Sequence, residues 1–319
     1  MEHHRFDKPL SFGEILDVTF RNIKENFSKL FLITFIFMAP IELLQGIAKM
    51  FSGVSLLRAS NSGEGISSLL NNFQQATMQS TMFDTIYLLL YAFISGPMAY
   101  ASLIIATDQI RKKEPVNILS AIKRAFSRYW ALLGGGLVFG LIMTALFIGI
   151  TVIIIAYLAF SGIEVGSLAG LGFHLVVMIV LSISIFCTLI YFLTRWSFFF
   201  AAIVFEKVSP GLGKSWRLTR GNFWRLIGLY IVLSILLLII MAIFELAVYY
   251  FLGDSVLAYL LLSLIAMPIL MTSYLAYAVI YFDLRVRNDA LDLKGMIETY
   301  PDNINLSNSV DAVETKPEG

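Results

Sequence analysis

The chain has 319 residues, of which 58% are hydrophobic and only 14% charged, and its mean hydropathy is +0.80. A soluble domain needs more charge on its surface than this ratio leaves, so a water-soluble globular protein is excluded. The formal net charge of +1 points to no acidic partner such as nucleic acid, and a single cysteine, Cys187, rules out an intrachain disulfide.

Residues 1–10 form a polar lead with His3, His4 and Arg5, and no short apolar core with a small-residue cleavage site marks a signal peptide. Ser11 and Glu14 have capping-box spacing and predict a helix start. Ile15, Leu16, Phe20, Ile23 and Phe27 recur at helical spacing while Arg21 and Lys24 lie off that face, so 12–27 reads as a helix lying on the membrane. A first span covers 30–51, with Pro40 in its middle and Glu42 just after it. Proline removes one backbone hydrogen bond and kinks a spanning helix or ends it early. The Ser-, Asn-, Gly- and Gln-rich stretch 52–81 reads as a loop, in which Ile66, Leu69, Leu70 and Phe73 suit a short interfacial helix.

The second span, 83–107, is broken by Gly96-Pro97 and ends at Asp108, ahead of Arg111-Lys-Lys113. Pro115 opens a second amphipathic stretch, 116–128, apolar at Ile118, Leu119, Ile122 and Phe126 and charged at Lys123, Arg124 and Arg128. The third span, 131–160, is longer than the ~20 residues that a ~30 Å hydrocarbon core requires. Its Gly136 and Gly140 have the GxxxG spacing suited to close helix contact. After a short loop, 161–172, the fourth span covers 173–205 with Arg195 as its one charge; it too exceeds one crossing and must tilt, bend or run along the interface. Glu206-Lys207 closes it, and Ser209-Pro210 reads as a helix start for a third amphipathic stretch, 210–222. The fifth span, 226–251, carries Glu245. The turn Leu252-Gly-Asp-Ser255 leads to the sixth, 256–282, with Pro268 inside and Asp283-Leu-Arg-Val-Arg287 at its exit. The polar, acidic stretch 300–319 reads as a disordered cytoplasmic tail.

Three stretches align: Phe20-Arg-Asn-Ile-Lys-Glu-Asn-Phe-Ser-Lys-Leu30, Ile122-Lys-Arg-Ala-Phe-Ser-Arg-Tyr-Trp-Ala-Leu132 and Trp216-Arg-Leu-Thr-Arg-Gly-Asn-Phe-Trp-Arg-Leu226. Each has a cation in its second column (Arg21, Lys123, Arg217), an aromatic ring in its eighth (Phe27, Tyr129, Phe223) and Leu in its last, and each runs into an apolar segment. Such basic, ring-ended helices suit the cytoplasmic interface of a bilayer, with Arg21, Lys123, Arg217, Trp216 and Trp224 as anchors. The expected fold is therefore all-α: one membrane domain, 1–299, of six transmembrane helices in three parallel hairpin repeats, each preceded by an interfacial helix. A pseudo-threefold axis along the membrane normal is expected if the hairpins superimpose. Of the 23 Lys and Arg residues only Lys49 and Arg58 fall on the far side of this arrangement, which places both termini in the cytoplasm of a cell-membrane protein.

Ionisable groups at membrane depth are costly and are functional candidates. Glu42, Arg195 and Glu245 stand inside spans, and Asp108, Glu206 and Asp283 close the three return spans near basic residues. Arg195 either snorkels to the headgroups or pairs with Asp108, Glu206 or Asp283 of a neighbouring hairpin. Glu42 is protonated, faces a water-filled cavity, or lies near the outer surface because Pro40 ends its span. Pro40, Pro97 and Pro268 mark helix breaks. No zinc spacing, phosphate loop, nucleophile elbow or nucleotide-binding glycine pattern is present, so no catalytic residue, cofactor or metal is expected.

Leu10-Ser-Phe-Gly-Glu-Ile-Leu-Asp17, Arg195 through Glu206, Ser215–Leu226, and Tyr281-Phe-Asp-Leu-Arg-Val-Arg287 with Leu291-Asp-Leu293 carry a resemblance. Over roughly 9–294 the chain resembles the bacterial membrane domain of glycerophosphoryl diester phosphodiesterases. In fused members of that family a catalytic barrel comes after the membrane domain, and such a barrel takes about 250 residues. Only a short tail remains here after Arg287, and the family's His-Arg-Gly catalytic opening is missing. The resemblance implies the membrane module without the hydrolase. The expected function is a non-enzymatic membrane module or accessory subunit, in contact with the bilayer, with anionic lipids and with a protein partner in the membrane. The alternatives are a transporter or lipid-handling protein, with a cavity lined by Glu42, Arg195 and the prolines, and an enzyme acting on lipid headgroups.

Overall fold

The computed structural model describes residues 9–57, 82–160 and 168–299. The expected lead before residue 9, the short helix around 66–73, most of the 161–172 loop and the 300–319 tail lie outside the described residues. Within them every regular element is a helix: α1 (Phe12–Phe51), α2 (Met82–Leu90), a π-turn (Tyr91–Ser95), α3 (Gly96–Arg111), α4 (Ile118–Phe126), α5 (Tyr129–Phe160), α6 (Leu168–Trp196), α7 (Phe199–Glu206), α8 (Leu212–Leu218), α9 (Phe223–Leu252) and α10 (Val256–Thr299). Six stretches are long and apolar enough to cross a bilayer: Phe12–Phe51, Met82–Arg111, Tyr129–Tyr157, His174–Glu206, Phe223–Leu252 and Val256–Ala290. The chain is a multi-pass, all-helical membrane protein.

The helix ends are set by local chemistry. Ser11 and Glu14 form the capping box: the Ser11 N–H donates to Glu14 Oε2 at 2.6 Å and the Glu14 N–H to Ser11 Oγ at 3.4 Å. α1 covers 40 residues and joins the expected surface helix to the first span across a kink. Its one non-helical residue is Asn26 (φ −122°, ψ 20°), directly before Phe27. Pro40 does not end it; with no water in a bilayer core to take freed backbone groups, continuing the helix is the cheaper course. α9 opens at Asn222 with a similar backbone (φ −113°, ψ 16°), directly before Phe223, and the turn Ser127–Arg128 separates α4 from α5 directly before Tyr129. Three residues past each ring, Leu30, Leu132 and Leu226 are all wholly buried.

Elsewhere the elements differ from the sequence-based expectation. The second span departs from α-helix one turn ahead of Gly96-Pro97, in the π-turn, where the Gly96 N–H bonds the Tyr91 carbonyl. Pro97 has no N–H for the carbonyls a turn earlier, and the Tyr129 hydroxyl donates to Phe93 O at 3.2 Å instead. The long fourth span bends: α6 stops at Trp196 and α7 restarts at Phe199. Ser209-Pro210 does not start a helix. The chain turns at Gly211 (φ +76°), and α8 begins at Leu212. A Cβ on Gly211 would stand 2.7 Å from Phe199 O, so only glycine fits this turn against α7. α10 continues past Asp283 to Thr299 instead of closing at the sixth span's exit.

The most extensive packing joins α1 to α10, with α9 against α10 and α3 against α1, α4 and α10. At Gly46 the α1 backbone comes close enough to α10 that a Cβ would meet Leu260 Cδ2 at 2.8 Å. One apolar cluster unites Ile15, Ile104, Phe198, Leu226, Leu229 and Tyr281; a second unites Leu30, Ile33, Met98, Leu132, Ile203 and Leu275. α5 and α6 are different. No residue in the most apolar window of either helix is buried.

Candidate functional site

The polar residues fall into two groups at opposite ends of the bundle. At the basic end, three carboxylates close α3, α7 and the membrane part of α10, and each has its own cations. Asp108 accepts from Arg111 Nη2 at 2.8 Å and Lys112 Nζ at 2.7 Å, and its side chain is 4% exposed. Arg111 also lies over the Phe282 ring, 4.6 Å from its centroid. Glu206 holds Lys214 Nζ at 2.8 Å and accepts from the Tyr281 hydroxyl at 3.2 Å. Asp283, wholly buried at its side chain, is the most tightly held. It accepts the Leu10 N–H at 2.7 Å and ion-pairs with both Arg225 and Arg287. The same two guanidinium groups donate to the Leu10 carbonyl at 2.7 and 2.6 Å. The backbone of Leu10, just ahead of α1, is thereby clamped between α9 and α10 through both its N–H and its carbonyl.

Arg195 pairs with none of these acids. Its guanidinium lies over the Trp216 ring at 4.6 Å and near the Tyr191 ring at 5.5 Å, and Nη1 reaches Trp216 O at 3.5 Å and Thr219 Oγ1 at 3.4 Å. The acids it was expected to meet already hold nearer cations. Its face-on aromatic seat needs no counter-ion. Beneath it, Ser215 repairs the bend between α6 and α7. Its Oγ accepts the Phe198 N–H at 3.0 Å and donates to the Arg195 carbonyl at 2.8 Å. Trp216 is thus a packing partner of Arg195, whereas Trp224 is 80% exposed, as an interfacial anchor would be. Lys123 and Arg217 are exposed on α4 and α8, and Arg21 is half-buried on α1.

Toward the other end, Glu42 on α1 is held between two spans. The Tyr87 hydroxyl of α2 donates to Oε1 at 3.0 Å and the Tyr259 hydroxyl of α10 donates to Oε2. One turn on, Gln45 Nε2 donates to Asp84 Oδ1, and Lys49 Nζ stands 5.1 Å from the Tyr259 ring centroid. Because α1 passes through Pro40, this carboxylate does not lie at a helix end; it joins three helices by side-chain hydrogen bonds. Glu245 is half-buried on α9, and Pro268 lies inside α10, where its carbonyl accepts from Thr272 Oγ1 at 2.8 Å. Glu42 and Arg195 do not meet in one cavity: the first sits among Tyr87 and Tyr259, the second over Trp216.

Sequence reasoning singled out all three boundary acids but missed the partners Arg225, Arg287, Tyr87 and Tyr259. Arg225 stood in the aligned repeat beside Leu226. The tyrosines carried no signal, because a Tyr in an apolar helix reads as interfacial belt. Among the described residues no group of three or more His, Cys, Asp or Glu is placed to hold a metal ion.

Residues 30–284 match the family model described as Domain of unknown function (DUF7847). No curated protein and no solved structure matches the chain. Nothing in these comparisons links it to the membrane domain of glycerophosphoryl diester phosphodiesterases.

Proposed function

The chain belongs to the DUF7847 family, and on that premise we propose that it is a non-enzymatic module of the cell membrane, an accessory subunit that works with a second membrane protein. The observation that carries this reading is the α5–α6 hairpin, in whose most apolar windows no residue is fully buried within the chain. Gly136 and Gly140, four residues apart on one face of α5, each have open space where a Cβ would project. A stripe of small residues lets another helix approach closely, and in lipid such packing is a main source of helix association. The rest of the bundle supports a scaffold. Its core holds clusters of buried apolar side chains, and Asp283 and Glu42 are occupied in joining helices.

The proposal includes a threefold repeat of hairpins, each opened by an interfacial helix, with both termini cytoplasmic. It is supported by the shared backbone at Asn26 and Asn222, by the interruptions directly before Phe27, Tyr129 and Phe223, and by the burial of Leu30, Leu132 and Leu226. The resemblance to the phosphodiesterase membrane domain agrees with a module that leaves chemistry to another chain. The test is site-specific photo-cross-linking in native membranes, with the probe at Gly136, Gly140 and Ile179, and at Leu238 of α9 as control. A discrete protein adduct from the α5–α6 positions is expected. Lipid adducts alone, equal to those from Leu238, would remove the accessory-subunit reading.

A further inference from the structure

A hollow of about 520 Å³ opens at the basic end between α7, α8 and α10. Phe205 and Leu218 form part of its wall, and Lys214, Arg217, Arg220 and Arg285 bring four cations to it against the two carboxylates Glu206 and Asp289. Lys214 is committed to Glu206. Arg217, Arg220 and Arg285 are exposed, and among the described residues their side chains make no hydrogen bond or ion pair. Their neighbours behave otherwise. Arg111 is spent on Asp108 and Phe282, Arg195 on Trp216, and Arg225 and Arg287 on Asp283 and Leu10. The fold therefore separates two sets of arginines at this end, one that joins helices and one that converges, unpaired, on a cavity.

The convergence is built by chain geometry. Arg217 is on α8; Arg220 is in the turn after it, which Gly221 closes at φ +84°; Arg285 comes from α10, more than sixty residues further along the chain. The short α8 is seated by Ser215 against the α6–α7 bend, and Asn288 Nδ2 donates to Leu218 O at 3.1 Å, fixing α8 to α10. Like charges brought together at such a concavity repel unless an anion lies among them. Arginine's planar fork matches the oxygens of a phosphate group better than a lysine ammonium does. The volume exceeds what a bare phosphate ion fills and falls in the range of small-molecule sites. The apolar wall at Phe205 and Leu218 suits the organic body attached to it.

We propose that this pocket is a binding site for a phosphate-bearing ligand, held by Arg217, Arg220 and Arg285. Two sources carry that chemistry: the headgroup of an anionic phospholipid in the adjoining leaflet, or a soluble phosphorylated molecule. The site does not rest on the accessory-subunit reading, since none of its residues belongs to α5 and none is in the spanning part of α6.

The test uses the full chain purified in mild detergent and in nanodiscs of phosphatidylcholine with and without phosphatidylglycerol. Retained phosphatidylglycerol is counted by native mass spectrometry, and binding of inorganic phosphate and of pyrophosphate is monitored by thermal shift. Arg217→Gln, Arg220→Gln and Arg285→Gln are each expected to weaken binding about tenfold, the worth of one charge-assisted hydrogen bond, with Tm in ligand-free buffer unchanged. Lys123→Gln, an equally exposed cation of α4 outside the pocket, leaves binding as it is. Loss confined to phosphatidylglycerol identifies a lipid headgroup; competition by pyrophosphate identifies a soluble ligand. The proposal is overturned if the triple variant retains lipid and phosphate like the wild type, or if Lys123→Gln costs as much as the pocket variants.

Discussion

Asp283 and Asp108 do the same job in different surroundings, and the difference can be measured. Asp283 has no exposed side-chain surface and holds two arginines that are 22% and 26% exposed. Removing it leaves two largely buried cations without a counter-charge and the Leu10 N–H without an acceptor. Asp283→Ala should therefore cost about 3 kcal/mol or more. Asp108 is as buried, but Arg111 and Lys112 are 30% and 45% exposed and can turn to water. Asp108→Ala should cost clearly less, about 1 kcal/mol. Thermal unfolding in one detergent ranks the two, and a larger loss for Asp108→Ala would refute the clamp at Leu10. Arg195 makes a separate case. Lysine keeps the charge but not the flat guanidinium over Trp216, so Arg195→Lys should lose about 1 kcal/mol. In a Trp216→Leu background the same change should cost nearly nothing, because the coupling is between those two side chains. Equal costs in both backgrounds would mean that the stacking contributes nothing.

Among the elements, the α6–α7 bend depends on a side chain from outside both helices. Ser215 Oγ accepts the Phe198 N–H and donates to the Arg195 carbonyl, both at the interrupted ladder, and Ser215 is itself fully buried. Ser215→Ala leaves the buried Phe198 N–H without an acceptor and the Arg195 carbonyl with only its longer bond from Thr219 Oγ1, at a cost of about 2 kcal/mol. Ser215→Thr keeps the hydroxyl and should recover part of the loss. Faster hydrogen exchange at Phe198 in the alanine variant, without change at the start of α9, would locate the damage. Unchanged exchange there would show that the bend holds without Ser215. The π-turn before Gly96-Pro97 obeys the same logic, with Tyr129 of α5 supplying to Phe93 O a donor that Pro97 lacks. Both irregular places thus borrow a hydrogen bond from a side chain of a helix further along the chain.

On the scale of the molecule, the positive-inside reading makes a topological statement that the bundle alone does not fix. Cysteines introduced at Lys113 and Ser127 in a Cys187→Ser background should react with a membrane-impermeant maleimide only after the membrane is opened. One introduced at Ser52 should react in intact cells. Reaction of the 111–128 segment from outside would invert the arrangement, and with it the side of the membrane on which the pocket at Arg217 opens.

Six apolar segments, the capping box at Ser11, the interruption near Pro97, the surplus length before Glu206 and the three boundary acids were all legible in the linear chain. They depend on properties that neighbours in sequence share: hydropathy summed over a window, helical spacing, a cap, a missing N–H. Which partner each polar group would take was not legible. In lipid a buried apolar face and a lipid-facing one have the same composition, so the pattern does not say how a spanning helix is turned about its axis. That rotation decides that Asp283 meets Arg225 and Leu10, that Glu42 meets Tyr87 and Tyr259, and that Arg195 lies on Trp216 and pairs with no acid. Only the packed bundle settles it, because a charge at that depth takes whichever partner the neighbouring helices bring within about 3 Å.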